Sequence, residues 1–357
     1  MRPSPCIARF ACCWLASALA LTVPTAQAAG PGFDFAGMKL PPGFKATTYI
    51  TGKGFDARGV PGIPAIVTMT FDNAGNLYFA RTANRLREIY GSEAARIYRI
   101  PAGPATITPE DEAKIVFGPP LPDPDELAVN AKGEVFVSTS SGGAGSVYRL
   151  TSGGEAKVFA GGAGGGSPLF KDPEGVAFDP AGNVYVADDD LGVIVKLDAG
   201  GKVIDPKFIP NIGRARVLTY DPRGFLWIGS DGPHDTPHMD GSGVIFRISL
   251  PDGKLRKLHS GPLPSGMSLS PGGNLFVAQR RSGKLFALTP EGKRVDFASF
   301  GRQAALRTLA FPPDTPATRR LGIAGDLFVM VFPQLDYPVR EIIRISGPFD
   351  EFVKRGR

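Results

Sequence analysis

A turn motif that returns six times limits what this chain can fold into. Residues 173–190 read PEGVAFDPAGNVYVADDD, two apolar runs around an Asp-Pro-Ala-Gly-Asn turn. That is the pattern of a β-hairpin. Related hairpins read TMTFDNAGNLY at 68–78, LAVNAKGEVF at 127–136, LTYDPRGFLW at 218–227 and MSLSPGGNLF at 267–276, and a sixth with a longer turn starts at Leu309. The aligned turn residues Asp72, Asn130, Asp179, Asp221 and Ser270 lie 58, 49, 42 and 49 residues apart. A third strand follows each hairpin (ARIYRI, GSVYRL, GVIVKL, GVIFRI, GKLFAL, EIIRIS). A fourth, more polar segment comes next in five of them (EAKIVF, EAKVFA, KVIDPKFI, KLRKLH, KRVDFA). Four strands on a period of about 40–50 residues predict an all-β, six-bladed β-propeller with four-stranded antiparallel blades. A two-sheet sandwich is the alternative, but it has no place for so regular a period. The sixth repeat lacks an outer strand of its own, and KATTYIT at 45–51 is left over near the N-terminus. That segment is expected to fill the gap and close the ring, leaving no inner sheet edge unpaired.

Composition agrees with many short strands. The 357 residues include 46 Gly and 34 Pro without a collagen period, and 43% are apolar, enough for a packed core. Residues 1–28 read as a secretory signal: Arg2 and Arg9, an apolar run to Val23, then Ala26-Gln27-Ala28 as a cleavage site. The apolar run is short for a membrane span. Export to the periplasm or medium is expected, with residues 29–357 forming one propeller domain. Cys6, Cys12 and Cys13 all fall within the signal, so the mature chain would hold together without disulfides and without a thiol nucleophile. Its formal charge drops from +6 to +4 with the two arginines gone, and no Lys/Arg block occurs. Nucleic acid is not an expected partner.

The first strand of each blade would line the axis, and residues entering it would meet at one mouth. The aligned entry positions are Val67, Asp125, Glu174, Arg216, Ser265 and Arg307. The second strands end at Arg81, Thr139, Asp188, Ser230, Gln279 and Val331. An acidic arc of Asp125, Glu174, Asp188–Asp190 and Asp231 therefore faces Arg81, Arg280, Arg281 and Arg307. Crowded carboxylates repel unless a cation intervenes. A hard divalent ion such as Ca²⁺ would settle them, and so would direct pairing with Arg216 and Arg307. The loop DGPHDTPHMD at 231–240 carries His234 and His238. Pro233 and Pro237 argue against a helical metal motif, which leaves a stiffened loop with a candidate general base or a loop without chemistry. The Gly-rich run at 161–166 lacks the Gly-Lys-Ser/Thr ending of a phosphate loop and reads as a connector.

Blade 3, with its Pro-x-Gly-(apolar)-Ala-x-Asp-x-x-Gly-Asn-(apolar)-Tyr-Val-Ala-Asp, resembles NHL-type propellers, the regucalcin/gluconolactonase family and the streptogramin lyases. LPPGF at 40–44 and GDLFV at 325–329 also resemble soluble quinone-dependent sugar dehydrogenases. The gluconolactonase resemblance implies a divalent metal at the channel mouth, carried here by Asp125 and Glu174 with Ser265 at a third matching position. Asp188 closes the expected metal set with Asp125 and Glu174. This chain departs from that family in having Arg216 and Arg307 on the same ring, and no early glutamate motif near Val67. It departs from the quinone enzymes in having no histidine at any of the six ring positions.

The leading expectation is an exported hydrolase of a lactone or similar small ester. Glu174 or His234 would take the proton, and Arg81, Arg216, Arg280, Arg307 and His238 would hold a small anionic substrate. A non-enzymatic binding propeller with a protein partner, a lyase and a quinone-dependent dehydrogenase are the alternatives.

Overall fold

The inner strands of the repeats are Ile66–Phe71, Pro124–Val129, Pro173–Phe178, Ala215–Asp221, Pro264–Leu269 and Ala305–Ala310. They are seen in a computed structural model that describes residues 33–356 except 58, 82–95, 141–143, 163–167, 235–240, 262, 302 and 334–338. Each inner strand packs against the next, and the sixth packs against the first, so all six surround one axis. From each of them the chain steps outward through antiparallel neighbours. In blade 3 the order is Pro173–Phe178, Val184–Asp188, Val193–Leu197 and Val203–Ile209. The protein is thus a six-bladed β-propeller. Residues 1–32, with the expected signal and all three cysteines, lie outside the described residues. Among the described residues no helix is long and apolar enough to cross a membrane.

The repeated turn has a local cause. The Asp179 carboxylate accepts hydrogen bonds from the Asn183 backbone N–H at 2.9 Å, its side-chain amide at 2.7 Å and the Tyr185 hydroxyl at 3.1 Å. Asp72 repeats all three contacts with Asn76 and Tyr78. Gly182 and Gly75 take φ of 86° and 87° between them, the left-handed region where a side chain is strained. One aspartate therefore satisfies the turn and anchors the second strand. Between blades the sheets bury large apolar groups. Val217, Trp227 and Ile245 of blade 4 pack on Met267, Val277 and Phe286 of blade 5, each side chain contributing about 1.5–3 kcal/mol when fully buried.

Two outer segments differ in kind. Lys45–Gly52 pairs antiparallel with Val339–Ser346 as the fourth strand of the sixth sheet, Lys45 opposite Ser346 and Thr48 opposite Ile343. Ala105–Ile107 then adds to it in parallel. The segment EAKIVF, expected as the outer strand of blade 1, is instead mostly helical. Pro109–Ile115 forms a short helix, and only Val116 bridges back to Tyr98. The sheet of blade 1 holds three strands among the described residues. The reason is in the sequence: Thr108 caps the helix through Asp111, Pro109 opens it, and Glu110, Asp111 and Glu112 fill its first turn. These are strong helix-start signals, and they outweigh the strand-like character of Ile115-Val116-Phe117.

Candidate functional site: an acidic channel mouth

The same irregularity interrupts every inner strand near its start. The pairing with the second strand skips between Ile66 and Thr68, Pro124 and Glu126, Pro173 and Val176, Ala215 and Val217, Pro264 and Gly266, and Leu306 and Thr308. The skipped residues are Val67, Asp125, Glu174 with Gly175, Arg216, Ser265 and Arg307. These are the six entry positions of the sequence alignment. A β-bulge releases one residue from the ladder and re-aims its side chain. Here it turns all six toward the axis, where they line one cavity of about 10 Å³ together with Glu126, Val217 and Thr308. That volume has room for about one water or ion, so an organic ligand has to lie above the ring rather than inside it. Gly175 permits the close approach of blades 3 and 4. A Cβ there would sit 2.7 Å from the Arg216 carbonyl oxygen and 2.9 Å from the Leu218 nitrogen.

Charge is unbalanced at this mouth. Among the described residues, the carboxyl groups of Asp125, Glu126, Asp172, Glu174, Asp189 and Asp231 interact chiefly with three guanidiniums, Arg216, Arg280 and Arg307. Arg216 lies 2.6 Å from Glu174 and 3.6 Å from Asp231, and Arg280 lies 3.2 Å from Asp231. Burial acts against the Arg216 guanidinium, yet Glu174 and Asp231 outweigh it and raise its pKa. Arg280 is pushed down by burial and by Arg216. Arg307 makes no hydrogen bond or ion pair among the described residues. Three arginines do not satisfy the acids. Burial and the Glu174 charge push Asp125 up to about 9. Burial pushes Glu126 up to about 8, Asp189 to about 7 and Asp172 to about 6, with Glu174 adding to each. Oxygens of Asp125, Asp172 and Glu174 lie within 4.8 Å of one another, and so do oxygens of Asp172, Asp189 and Asp190. Every donor is a carboxylate, the set that suits a hard divalent cation.

The expected residues separate into two groups. Asp125, Glu174, Arg216 and Arg307 share the ring, and Arg280 joins it through Asp231. Asp188, expected as a metal ligand, belongs to neither carboxylate cluster. It is fully buried, and its oxygens accept backbone N–H groups of Lys171 at 2.8 Å, Asp172 at 3.3 Å and Leu191 at 2.8 Å. Arg81 is turned to Glu112 of the 109–115 helix and to the Tyr98 hydroxyl. His234 is exposed on the rim beside Gly192, its backbone carbonyl receiving Arg214 at 2.8 Å. His238 lies outside the described residues.

Sequence reading missed Asp172 and Glu126. A signal for Asp172 was present. Asp-Pro-Asp opens the inner strand of blade 2 at 123–125, and Asp-Pro-Glu opens that of blade 3 at 172–174. The doubled motif marks a second acidic position beside each ring carboxylate. Glu126 gave no such signal, because only the bulge at Asp125 brings the next residue to the channel as well.

A 380 Å³ cleft beside Lys39–Pro41 and Lys284 lies against the outer strands of blade 5 and lacks a carboxylate cluster. A 450 Å³ cavity opens at the other end of the channel, lined by Thr70, Ala128, Phe178, Thr219 and Phe311 among others.

No family model and no curated protein matches the chain. Solved structures do match in fold. A gluconolactonase from Xanthomonas campestris aligns with a TM-score of 0.57 at 13% identity, covering 80% of this chain and 87% of its own. An oxidoreductase described as a glucose dehydrogenase, from Thermus thermophilus, gives 0.56 at 14% identity, covering 85% and 100%. Virginiamycin B lyase from Staphylococcus aureus gives 0.50 at 12%, covering 87% and 99%. These likenesses define the fold class. A hydrolase, an oxidoreductase and a lyase share it, so the chemistry has to be argued from the site.

Proposed function

We propose that the chain is an exported propeller hydrolase of a lactone or similar small ester, with a divalent cation held by Asp125, Asp172 and Glu174. The observation that carries this reading is the convergence of those three carboxylates at the bulged ring, in a mouth whose acids outnumber its arginines among the described residues. The donor set fits Ca²⁺, Mg²⁺ or Mn²⁺. Asp172 replaces Asp188 in the ligand set. When bound, such an ion polarises a carbonyl and lowers the pKa of a water. Glu174 is divided between the ligand set and Arg216, which holds its carboxylate in place. Arg307, unpaired among the described residues, and Arg280 supply positive charge for a substrate carboxylate or a developing oxyanion. His234, exposed on the rim and outside the ligand set, is the proton acceptor this arrangement leaves available.

The test is turnover of a panel of lactones and small esters by chelator-treated protein with each cation restored in turn. Recovery with at least one ion, and at least a hundredfold loss in Asp125→Asn, is expected. Turnover indifferent to both chelation and Asp125→Asn, or no turnover of any member, would overturn the reading.

A non-enzymatic binding propeller is the second reading. It is favoured by the direct Arg216–Glu174 and Arg280–Asp231 pairs, which stiffen the mouth without any ion. It would be preferred if Arg307→Ala abolished capture of an anionic partner while no substrate was turned over.

A further inference from the structure

Asp172 belongs to two carboxylate clusters at once. One joins it to Asp125 and Glu174 over the channel, the other to Asp189 and Asp190 on the outer side of the mouth. Ligands on opposite sides of a calcium-sized ion, each about 2.3–2.6 Å from it, stand about 5 Å apart. Oxygens no more than 4.8 Å apart are close enough to share one such ion, and both clusters meet that condition.

Acidic residues near each other often stay empty, but Asp189 gives a separate indication. It is 93% buried, and its Oδ1, shielded from solvent, has no hydrogen-bond partner among the described residues. A buried carboxylate oxygen without a donor costs about 1–3 kcal/mol or more, and a bound cation at this cluster would offset that cost. Arg216, the guanidinium that acts most strongly on Asp189 among the described residues, is already engaged by Glu174 at 2.6 Å and by Asp231.

The outer cluster is also held in place by its surroundings. The Asp189 N–H donates to the Asp172 carbonyl at 2.9 Å. Asp188 accepts from the amides of Lys171, Asp172 and Leu191, which ties both ligand-bearing segments to one buried carboxylate. Asp188 is thus a positioning residue for the outer cluster.

We infer that the mouth holds two divalent cations, the second at Asp172, Asp189 and Asp190, with Asp172 bridging them. This rests on the cation site of the proposed function and extends it to a paired centre. Asp190 is exposed, so the outer ion keeps solvent ligands, binds more weakly and faces the space where a substrate would lie. Two ions bridged by one carboxylate stand about 3.5–4 Å apart in known paired centres.

The experiment is calorimetric titration of the chelator-treated protein with Mn²⁺ and with Ca²⁺, followed by electron paramagnetic resonance of the Mn²⁺-loaded form. Folding of each variant is checked by circular dichroism. The wild type is expected to bind two ions and to show a spin-coupled Mn²⁺ signal. Asp190→Asn, at an exposed position, is expected to bind one ion and to lose the coupling. Asp125→Asn is expected to lose the tighter event. A single ion that survives Asp190→Asn and is lost in Asp125→Asn would overturn the paired centre while leaving the hydrolase's cation in place. A single ion lost in Asp190→Asn and indifferent to Asp125→Asn would overturn both, as would no binding at all. Two ions without spin coupling would overturn the Asp172 bridge.

Discussion

Glu174 and Arg216 sit in the corresponding bulges of neighbouring blades and meet 2.6 Å apart at the channel mouth. Both are largely buried, and Arg216 also reaches the fully buried Asp231. Removing the guanidinium takes the ion-pair partner from Glu174 and leaves Asp231 with Arg280 alone. Arg216→Met is therefore expected to cost about 3–5 kcal/mol in urea unfolding, the range for breaking a buried ion pair from one side. A cost below about 1 kcal/mol would show that the pair does not hold the mouth together.

Stability of the cation-free protein should fall as pH rises. Asp125, Glu126, Asp189 and Asp172 have folded-state values of about 9, 8, 7 and 6, above the ordinary carboxylate value of about 4 in an unfolded chain. Between about pH 4 and 9 the folded form holds more protons than the unfolded one. Folding then takes up protons, and stability is lost as they leave. Melting temperature in the presence of chelator should decline across pH 5–9, and a millimolar divalent cation should flatten the decline by stabilising the ionised forms. A chelated protein whose melting temperature rises across that range would contradict the assignment.

Asp188 should behave as a positioning residue rather than a ligand. Asp188→Ala removes the acceptor of the Lys171 and Leu191 N–H groups, which are only partly buried, at about 0.5–1.5 kcal/mol for each hydrogen bond lost. It should also weaken cation binding by about 10- to 100-fold, as loss of an outer-shell partner does. Asp188→Asn keeps one oxygen acceptor and should lose less of both. Calorimetry and thermal melting on the two variants check this, and equal loss of binding in both would return Asp188 to the ligand set.

Gly175→Ala should destabilise by about 1–3 kcal/mol through overpacking, because its Cβ would press on the backbone of Arg216 and Leu218 in the next blade. The expected readout is a lower melting temperature with secondary structure unchanged. An unaltered melting temperature would mean that blades 3 and 4 separate without cost.

Much of this was legible because it is local. The Asp-x-x-Gly-Asn-x-Tyr turn is satisfied within seven residues, as Asp72 and Asp179 show, so it survives as a repeated string and reveals the blade count. KATTYIT and EIIRIS were recognisable as strands from their own residues, and they pair with each other in the sixth sheet. The helix at 109–115 is equally local, but EAKIVF taken by itself has the look of a strand, and the helix signals lie in the Thr-Pro-Glu-Asp just before it.

What the sequence by itself determined was the number of blades, their strand order and which six positions enter the channel, since each follows from contacts between near neighbours in the chain. Tertiary structure alone decided what those positions do. A ladder with a bulge and one without have the same pattern of apolar residues, so only the folded sheet shows Glu126 turned inward beside Asp125. Glu174, Arg216, Asp231 and Arg280 are brought together from three blades, and their pairing is a matter of Coulomb energy over a few ångströms, which spacing along the chain does not encode. The same holds for Asp188 and Asp189. They are adjacent in sequence and alike in chemistry, yet one is saturated by backbone amides and the other keeps an oxygen without a partner.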